Sequence, residues 1–487
     1  MRLATPALLA DISASGITVG VVDRVDGELR LVRQTTVELF AEDSSASGLD
    51  GAVERLQAEL GQSLPPETPR LGVVDAGRPI RLALISCDKA PTRPPAIKRS
   101  LSVPVDIVFQ IASGLPELSD PTTLYQRIAN LWSCGPDVVA AVGGGSGDAF
   151  ERVAEGLGSV ASYLSHEPLL VGIGPGGVEL LRHIRGEVPV VDRSRADLRS
   201  GWINALNQAL YPAWRATNES LGAELTPVVP RGQALAMAAD FLNRAWQSPV
   251  VVLDWAATGL VRYQAAHGGL SVDRLDFGSE LTNNQVEQPE VVERLGNWLA
   301  WSPSVYESPE ALAVEADTLL SLTSQWPVAA DQAALVITGR PEGFGAPERD
   351  VVGHSLALAR LWGVGRVWLD EAGLLPRAAG AAASDPAAAA ELIGEALEPV
   401  AGYVAVLGRS RAGRKSLQIS FKGPDGVEED YQFRSAEVRW IQSHLGPTDI
   451  LARSLEGADL GGGKNKPFGI RLPVDRLGVI VDSRGRS

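Results

Sequence analysis

The sequence predicts an α/β protein of two lobes, the first opening on an antiparallel meander and the second holding a further strand region, with a βαβαβ unit inserted between them and a small all-β module at the C-terminal end. Three observations lead there. At 487 residues the chain exceeds what one hydrophobic core can serve, so several domains are expected. An apolar run ending in aspartate, a turn of small residues and a returning strand occur twice, half the chain apart. The copies are Asp11-Ile12-Ser13-Ala14-Ser15-Gly16-Ile17 and Asp254-Trp255-Ala256-Ala257-Thr258-Gly259-Leu260. Between them, apolar strands run repeatedly into glycine-rich loops and then helices.

Residues 7–10, 17–22 and 29–39, with the turn pair Asp26-Gly27, read as the first meander. An amphipathic helix at 49–60 precedes strands 71–74 and 80–85, which flank the turn Asp75-Ala76-Gly77, and 91–95 is a proline-rich loop. A helix at 124–132 leads to strand 137–142, the loop Gly143-Gly144-Gly145-Ser146-Gly147-Asp148 and a helix at 150–164. Strand 169–173, the loop Gly174-Pro175-Gly176-Gly177, a helix to 183 and strand 188–191 complete a βαβαβ unit, parallel by the handedness of its connections. Helices at 198–214 and 231–245 precede a second strand region at 250–254 and 272–277. Helices 289–300 and 309–324, strand 334–337, helix 351–362 and strand 367–369 follow. Ser384-Asp385-Pro386 then ends one alanine-rich helix and starts the next. From 402 onward short alternating strands, among them 416–421, 431–433 and 477–482, read as a β module. The expected division is the first part of the first lobe at 1–120, the insertion unit at 121–200, the second lobe with its helical segments at 201–398, and the β module at 399–487.

Composition narrows function. A net charge of −15 and a pI near 5.0 repel phosphate backbones, so nucleic acid is an unexpected partner. The longest apolar runs are far too short for a membrane span, and the first residues lack an export signal, so a cytoplasmic protein is expected. Two cysteines, Cys87 and Cys134, provide no disulfide framework, and no two of the five histidines have the i, i+4 spacing of a metal-hydrolase helix.

A strand ending in aspartate, a tight small-residue turn and a return strand form the phosphate loop of the actin-like ATPase fold, in which duplicated ribonuclease-H-like domains face each other across a cleft. The turn N–H groups approach phosphate oxygens, while the aspartates hold hydrated magnesium or orient water. Asp11, Ser13, Ala14 and Ser15, with Asp254, Ala256, Ala257 and Thr258, are the candidate residues for ATP and magnesium. The alternative reading is two unrelated hairpins whose aspartates accept turn N–H bonds.

From about residue 7 onward the chain resembles the glutamate mutase L family, the accessory component encoded with a cobalamin-dependent mutase. The segment from Pro136 to Asp148 resembles that family's strand and Gly-Gly loop, and Asp254 to Leu260 sits where its second phosphate loop belongs. Leu335-Val336-Ile337-Thr338-Gly339 is similar to its adenosine-side loop. Leu369-Asp370, Leu374-Leu375-Pro376, Gly380-Ala381 and the closing Leu477 to Gly485 match later segments. The resemblance adds Thr338, Gly339 and Arg340 to the nucleotide set and implies a cobalamin-dependent mutase as partner.

The chain departs from that family's pattern in all three loops. Its members usually carry Asp-x-Gly-Ser-Thr-Thr-Thr and then Asp-x-Gly-Gly-Ala-Thr-Thr. Here Ser13 and Ala256 replace glycine, Ala257 replaces the second glycine, and the later hydroxyl positions are Gly16, Gly259 and Leu260. A side chain occupies space the phosphate needs. The third loop, expected as Gly-Gly, reads Gly339-Arg340-Pro341, although the Arg340 guanidinium can itself bind phosphate. The expectation is weakened or lost binding of ATP and magnesium, no ATPase turnover, and a chaperone-like accessory role through a protein partner. The competing expectation, favoured by the survival of Asp11 and Asp254, is an active ATP-dependent reactivating factor of a cobalamin-dependent mutase. A sugar or acid kinase is disfavoured, because no aspartate base accompanies an intact glycine loop.

Other features have structural readings that serve as well or better. The Gly143 and Gly174 loops offer helix N-termini to an anion, but tight βα turns explain them better. Gly461-Gly462-Gly463-Lys464-Asn465-Lys466 lacks a following helix and reads as a hairpin tip. Trp298, Trp301 and Trp326 could mark a partner surface, yet tryptophan in such positions usually belongs to the core.

Overall fold

The computed structural model describes residues 3–13, 16–38, 45–75, 79–87, 101–112, 120–144, 151–156, 168–184, 190–193, 202–217, 225–256, 259–266, 269–276, 323, 326–339, 348–408, 414–422, 426–435, 437–441, 446–455, 459–461, 467–474 and 476–486. The expected helix at 289–300 lies outside them, as do all of the one at 309–324 but Thr323, and Ala14, Ser15, Ala257, Thr258 and Arg340.

The first lobe opens on β1 (Ala7–Ser13), β2 (Gly16–Val25) and β3 (Glu28–Glu38), an antiparallel meander. Asp26 and Gly27 both take positive φ, the two-residue hairpin turn whose twist matches the strands. After α1 (Ser45–Leu60), β4 (Arg70–Val74) pairs parallel with β1. A parallel sheet follows, built from β5 (Ile80–Ser86), β6 (Val105–Ala112), β7 (Val138–Val142), β8 (Leu169–Ile173) and β9 (Val190–Arg193) in the order β6-β5-β7-β8-β9. Two helices, α2 (Pro121–Ser133) and α3 (Gly174–Ile184), belong to this unit. Its strands are continuous apolar runs because both faces are covered: Leu82, Val138 and Val171 face one core, Ala83, Val139 and Leu170 another. The helix α4 (Trp202–Thr217) buries Leu206, Leu210 and Trp214 in the first of these cores.

The chain then returns to the first sheet with β10 (Val228–Pro230), parallel to β4, and crosses to the second lobe through α5 (Arg231–Trp246). The meander recurs as β11 (Val250–Ala256), β12 (Gly259–Ala266) and β13 (Gly269–Asp276), and β14 (Ala334–Gly339) pairs parallel with β11. After α6 (Glu348–Leu358), β15 (Gly363–Leu369) pairs parallel with β14. The first sheet therefore reads β3-β2-β1-β4-β10 and the second begins β13-β12-β11-β14-β15, with identical strand directions. This repeated order is the duplicated ribonuclease-H-like arrangement of the actin-like ATPase fold.

Strand pairing divides the chain differently from the expected boundaries. β10 lies in the first sheet although 201–398 reads as second lobe, and β5 and β6 join the parallel unit before residue 121. Of the expected β module, β16 (Glu398–Leu407), β19 (Val438–Ile441) and β22 (Val479–Arg486) extend the second sheet. Only β17 (Lys415–Lys422), β18 (Glu428–Arg434), β20 (Gly446–Ser454) and β21 (Pro467–Val474) form a separate four-stranded sheet. Apolar alternation specifies which residues are strands, but the neighbour a strand takes depends on tertiary packing.

Between the two repeated sheets, α5, α7 (Leu375–Ala381) and α8 (Pro386–Ala396) fill a shared core with Leu9, Val73 and Val229 on one side and Val250, Val252 and Val336 on the other. Asp385 starts α8 as the sequence predicts, accepting the Ala387 and Ala388 N–H groups. No described helix is long and apolar enough to cross a membrane.

Where the second lobe meets the C-terminal strands, Asp331 lies near Asp459. Burial and that like charge push the Asp331 carboxyl up to about 6, against the opposing Gln332 amide and N–H, and its Oδ1 has no partner. Its folded pKa exceeds the ordinary 3.8, so the native state holds this proton more tightly than the unfolded chain does. The resulting stability is complete below about pH 4 and lost as pH rises through about 6. Denaturant melts across that window should show a steeper decline in the wild type than in Asp331→Asn; equal slopes would contradict this assignment.

Candidate functional site

Side-chain alternation along parallel strands assembles the site. On β1, Ala7 and Leu9 face the shared core and Asp11 is the next residue on that face; on β11 the same holds for Val250, Val252 and Asp254. The two aspartates occupy the fifth position of equivalent seven-residue strands, opposite Thr18 and Val261 in their hairpins. Asp75 follows Leu71 and Val73 at the end of β4, and Thr338 follows Ala334 and Val336 on β14. Polar groups from four strands thus cap the shared core at one end, the C-terminal ends of the parallel strands, where ligands bind in open α/β sheets.

Arg231 completes this layer. It follows Val229 on the same alternation and is the first residue of α5, begun where Pro230 stops β10. Its Nε and Nη2 donate to Asp254 Oδ2 at 3.1 Å and Oδ1 at 2.9 Å, a bidentate fork, while Nη1 donates to Asp11 Oδ2. All three are buried: Arg231 is 7%, Asp11 8% and Asp254 1% exposed. One guanidinium therefore ties together the two loops that the sequence places on opposite sides of a cleft.

The surrounding charges explain its protonation. Burial alone would lower the Arg231 pKa, but the charges of Asp11 and Asp254 and the Asp254 hydrogen bonds outweigh it and hold the group well above its ordinary value. Burial pushes the Asp75 carboxyl up; Arg274 and Arg231 oppose the shift, and Asp254 and Asp11 reinforce it. A second buried arginine, Arg377 on α7, donates to Gln34 Oε1 at 2.6 Å and to the Ala372 carbonyl at 2.9 Å. Its Nη1 and Asp11 Oδ1 have no partner among the described residues.

Of the other predicted residues, Ser13, Ala256, Thr338 and Gly339 are among those described. Ser13 Oγ donates to the Gly16 carbonyl at 2.9 Å, closing the first turn on itself, and Ala256 is buried at the end of β11. Thr338 Oγ1 donates to Asp370 Oδ2 at 2.7 Å, and Asp370 also accepts the Leu374 and Leu375 N–H groups at the start of α7. Gly339 has φ +101°, and a Cβ there would collide with the Trp255 carbonyl, so glycine is required by the approach of β14 to β11. Gly177 packs α3 on β7 in the same way, with no room for a Cβ beneath the Ala141 carbonyl, and its N–H donates to the Gly143 carbonyl. Trp326 is a core residue beneath the Arg262 guanidinium; Trp298 and Trp301 lie outside the described residues.

Sequence reasoning missed Arg231 and Asp75. Asp75 reads as a turn residue, although the Leu71, Val73 alternation points it inward. Arg231 has a stronger signal: a cation in the first turn of a helix opposes the helix dipole, so its charge must be met locally. Two carboxylates near strand ends, Asp11 and Asp254, meet it here.

Carboxylate oxygens that would ligate magnesium are taken up within the chain. Both Asp254 oxygens are engaged by Arg231, and among the described residues no three histidine, cysteine, aspartate or glutamate side chains are grouped to hold a metal ion.

No protein-family model matches the chain, and no curated protein matches it in sequence. Solved structures are similar in fold. Nucleotide-free acetone carboxylase shares 11% identity over 88% of this chain and 81% of its own, with a TM-score of 0.33. An ATP-dependent caprolactamase from Pseudomonas jessenii shares 10% over 92% and 81%, with a TM-score of 0.31. The activator of 2-hydroxyisocaproyl-CoA dehydratase from Clostridium difficile, with bound ADPNP, shares 11% over 79% and 95%, with a TM-score of 0.27.

Removing Arg231 leaves buried carboxylates uncompensated. Arg231→Ala should lower stability by about 3–5 kcal/mol, read from chemical denaturation, and Arg231→Lys should recover only part, since an ammonium cannot make the fork. A loss below about 0.5 kcal/mol would place the guanidinium in solvent.

Proposed function

We propose that this protein is a non-hydrolysing accessory factor, chaperone-like in action, that works through a protein partner and uses the actin-like fold as a scaffold. The observation that carries the reading is the Arg231 bridge: the two aspartates that would serve magnesium are already engaged by a side chain of the same chain. Substituted turn residues support it, since Ser13 and Ala256 stand where phosphate loops use glycine. The finer reading, an accessory protein like the glutamate mutase L family with a cobalamin-dependent mutase as partner, rests on the sequence resemblance alone. ATP, where it binds at all, is bound weakly and without turnover.

Melting temperature with and without millimolar magnesium-ATP, together with phosphate release, tests this. A ligand at a hundredfold excess over its Kd stabilises the native state by about 2.7 kcal/mol, so a functional site would be evident. The expected result is no magnesium-dependent shift and no phosphate release above a protein-free control. Strong stabilisation with turnover would instead support the ATP-dependent reactivating factor.

A further inference from the structure

The first sheet ends on β3, an 11-residue strand whose outer side pairs with no described strand. A long edge of this kind presents backbone donors and acceptors that template pairing with another chain. In this protein helices line it with carboxylates. Glu391 Oε2 of α8 accepts the Leu29 N–H and Glu395 Oε1 the Leu31 N–H, each at 3.2 Å. Further along, Glu59 of α1 accepts hydrogen bonds from the Thr35 hydroxyl and the Arg33 Nε, each at 3.0 Å.

The fit of α8 to β3 is geometric. Leu29 and Leu31 are two residues apart, so their side chains meet the shared core on one face and their N–H groups point to one edge. Two strand residues span about 6.8 Å and four helix residues about 6 Å. Glutamates at i and i+4 of a helix lying along the edge therefore meet alternate strand donors, as the carbonyls of an added strand would. Arg24 and Arg30 hold the same two carboxylates from the strand side, at 3.4 Å each. Since α8 lies in sequence between β15 and β16, a part of the second lobe covers the edge of the first.

We propose that Glu391 and Glu395 are an autoinhibitory cover on a self-association edge: they occupy the β3 donors in place of a neighbouring strand, and without them a second copy of this chain pairs with β3. Charge favours that occupant. Glu28 and Arg30 are exposed neighbours on one face of β3. Two antiparallel copies related by a two-fold axis through Leu29 set each Glu28 directly opposite the other copy's Arg30, an attractive cross-strand pair made twice. The same two-fold pairs the Leu29 N–H of each copy with the Leu29 carbonyl of the other. This contact is independent of the accessory-factor reading, since nucleotide and the Arg231 bridge take no part in it.

The test uses the full chain and sedimentation velocity over a wide range of protein concentration, with melting temperature as the check on folding. Glu391→Ala/Glu395→Ala should dimerise at least about tenfold more tightly than wild type. Glu391→Gln/Glu395→Gln, which keeps a carbonyl acceptor at each position, should behave as wild type. Adding Glu28→Arg to the alanine variant opposes like charges and should abolish the gain, and adding Arg30→Glu as well should restore it. Should the double alanine variant not fold, Glu391→Ala alone is judged by the same measurement. Equal association of the alanine variant and the wild type overturns the proposal. A gain that Glu28→Arg leaves unchanged also overturns it, as does a glutamine variant that associates as the alanine variant does.

Discussion

The bridge from Arg231 to Asp11 and Asp254 is the constraint on which the arrangement of the two lobes depends. The guanidinium sits at the start of α5, the helix that leaves the first sheet and enters the second, and its partners stand on the first strand of each meander. Any relative motion of β1 and β11 must stretch or break these bonds. More exposed contacts run in parallel: Glu391 and Glu395 of α8 accept the Leu29 and Leu31 N–H groups of β3 at 3.2 Å, satisfying donors on an edge strand. The ion pairs of these glutamates with Arg24 and Arg30 are solvent-exposed and contribute little to stability. The bridge, together with the buried Arg377 that bonds Gln34 of β3, is shielded from solvent where these contacts are not.

A buried ionic triad is not chiefly a source of net stability. Desolvating three charges costs several kcal/mol per ion, and their attraction roughly offsets that cost. What the triad supplies is an all-or-none geometry, since withdrawing one member strands the others in the core. The position of the guanidinium is set by the backbone of α5 and by the packing of Ala234, Leu235 and Ala238 of the same helix in the shared core.

Much of this fold is legible in the sequence, because the repeated meander carries its own signals: Asp26-Gly27 for the hairpin, β-branched runs for the strands and Ser384-Asp385-Pro386 for the α7/α8 break. Strand partnership is less legible. β10 is a three-residue strand whose place beside β4 depends on a chain segment more than a hundred residues away, and β22 joins β16 across the whole C-terminal sheet. In the site, Asp11 and Asp254 are legible as a pair because the strand-turn-strand pattern repeats around them. Arg231 is not, because an arginine at a helix start has meaning only once both sheets bring their carboxylates to it.

A double-mutant cycle between Arg231→Met and Asp254→Asn, measured by chemical denaturation, tests the central claim most directly. If the guanidinium and the carboxylate form one buried unit, their effects on stability are coupled by more than about 1 kcal/mol, the pair together costing less than the sum of the separate changes. Additivity within about 0.3–0.5 kcal/mol would mean that the two groups act independently and that no such bridge joins the lobes.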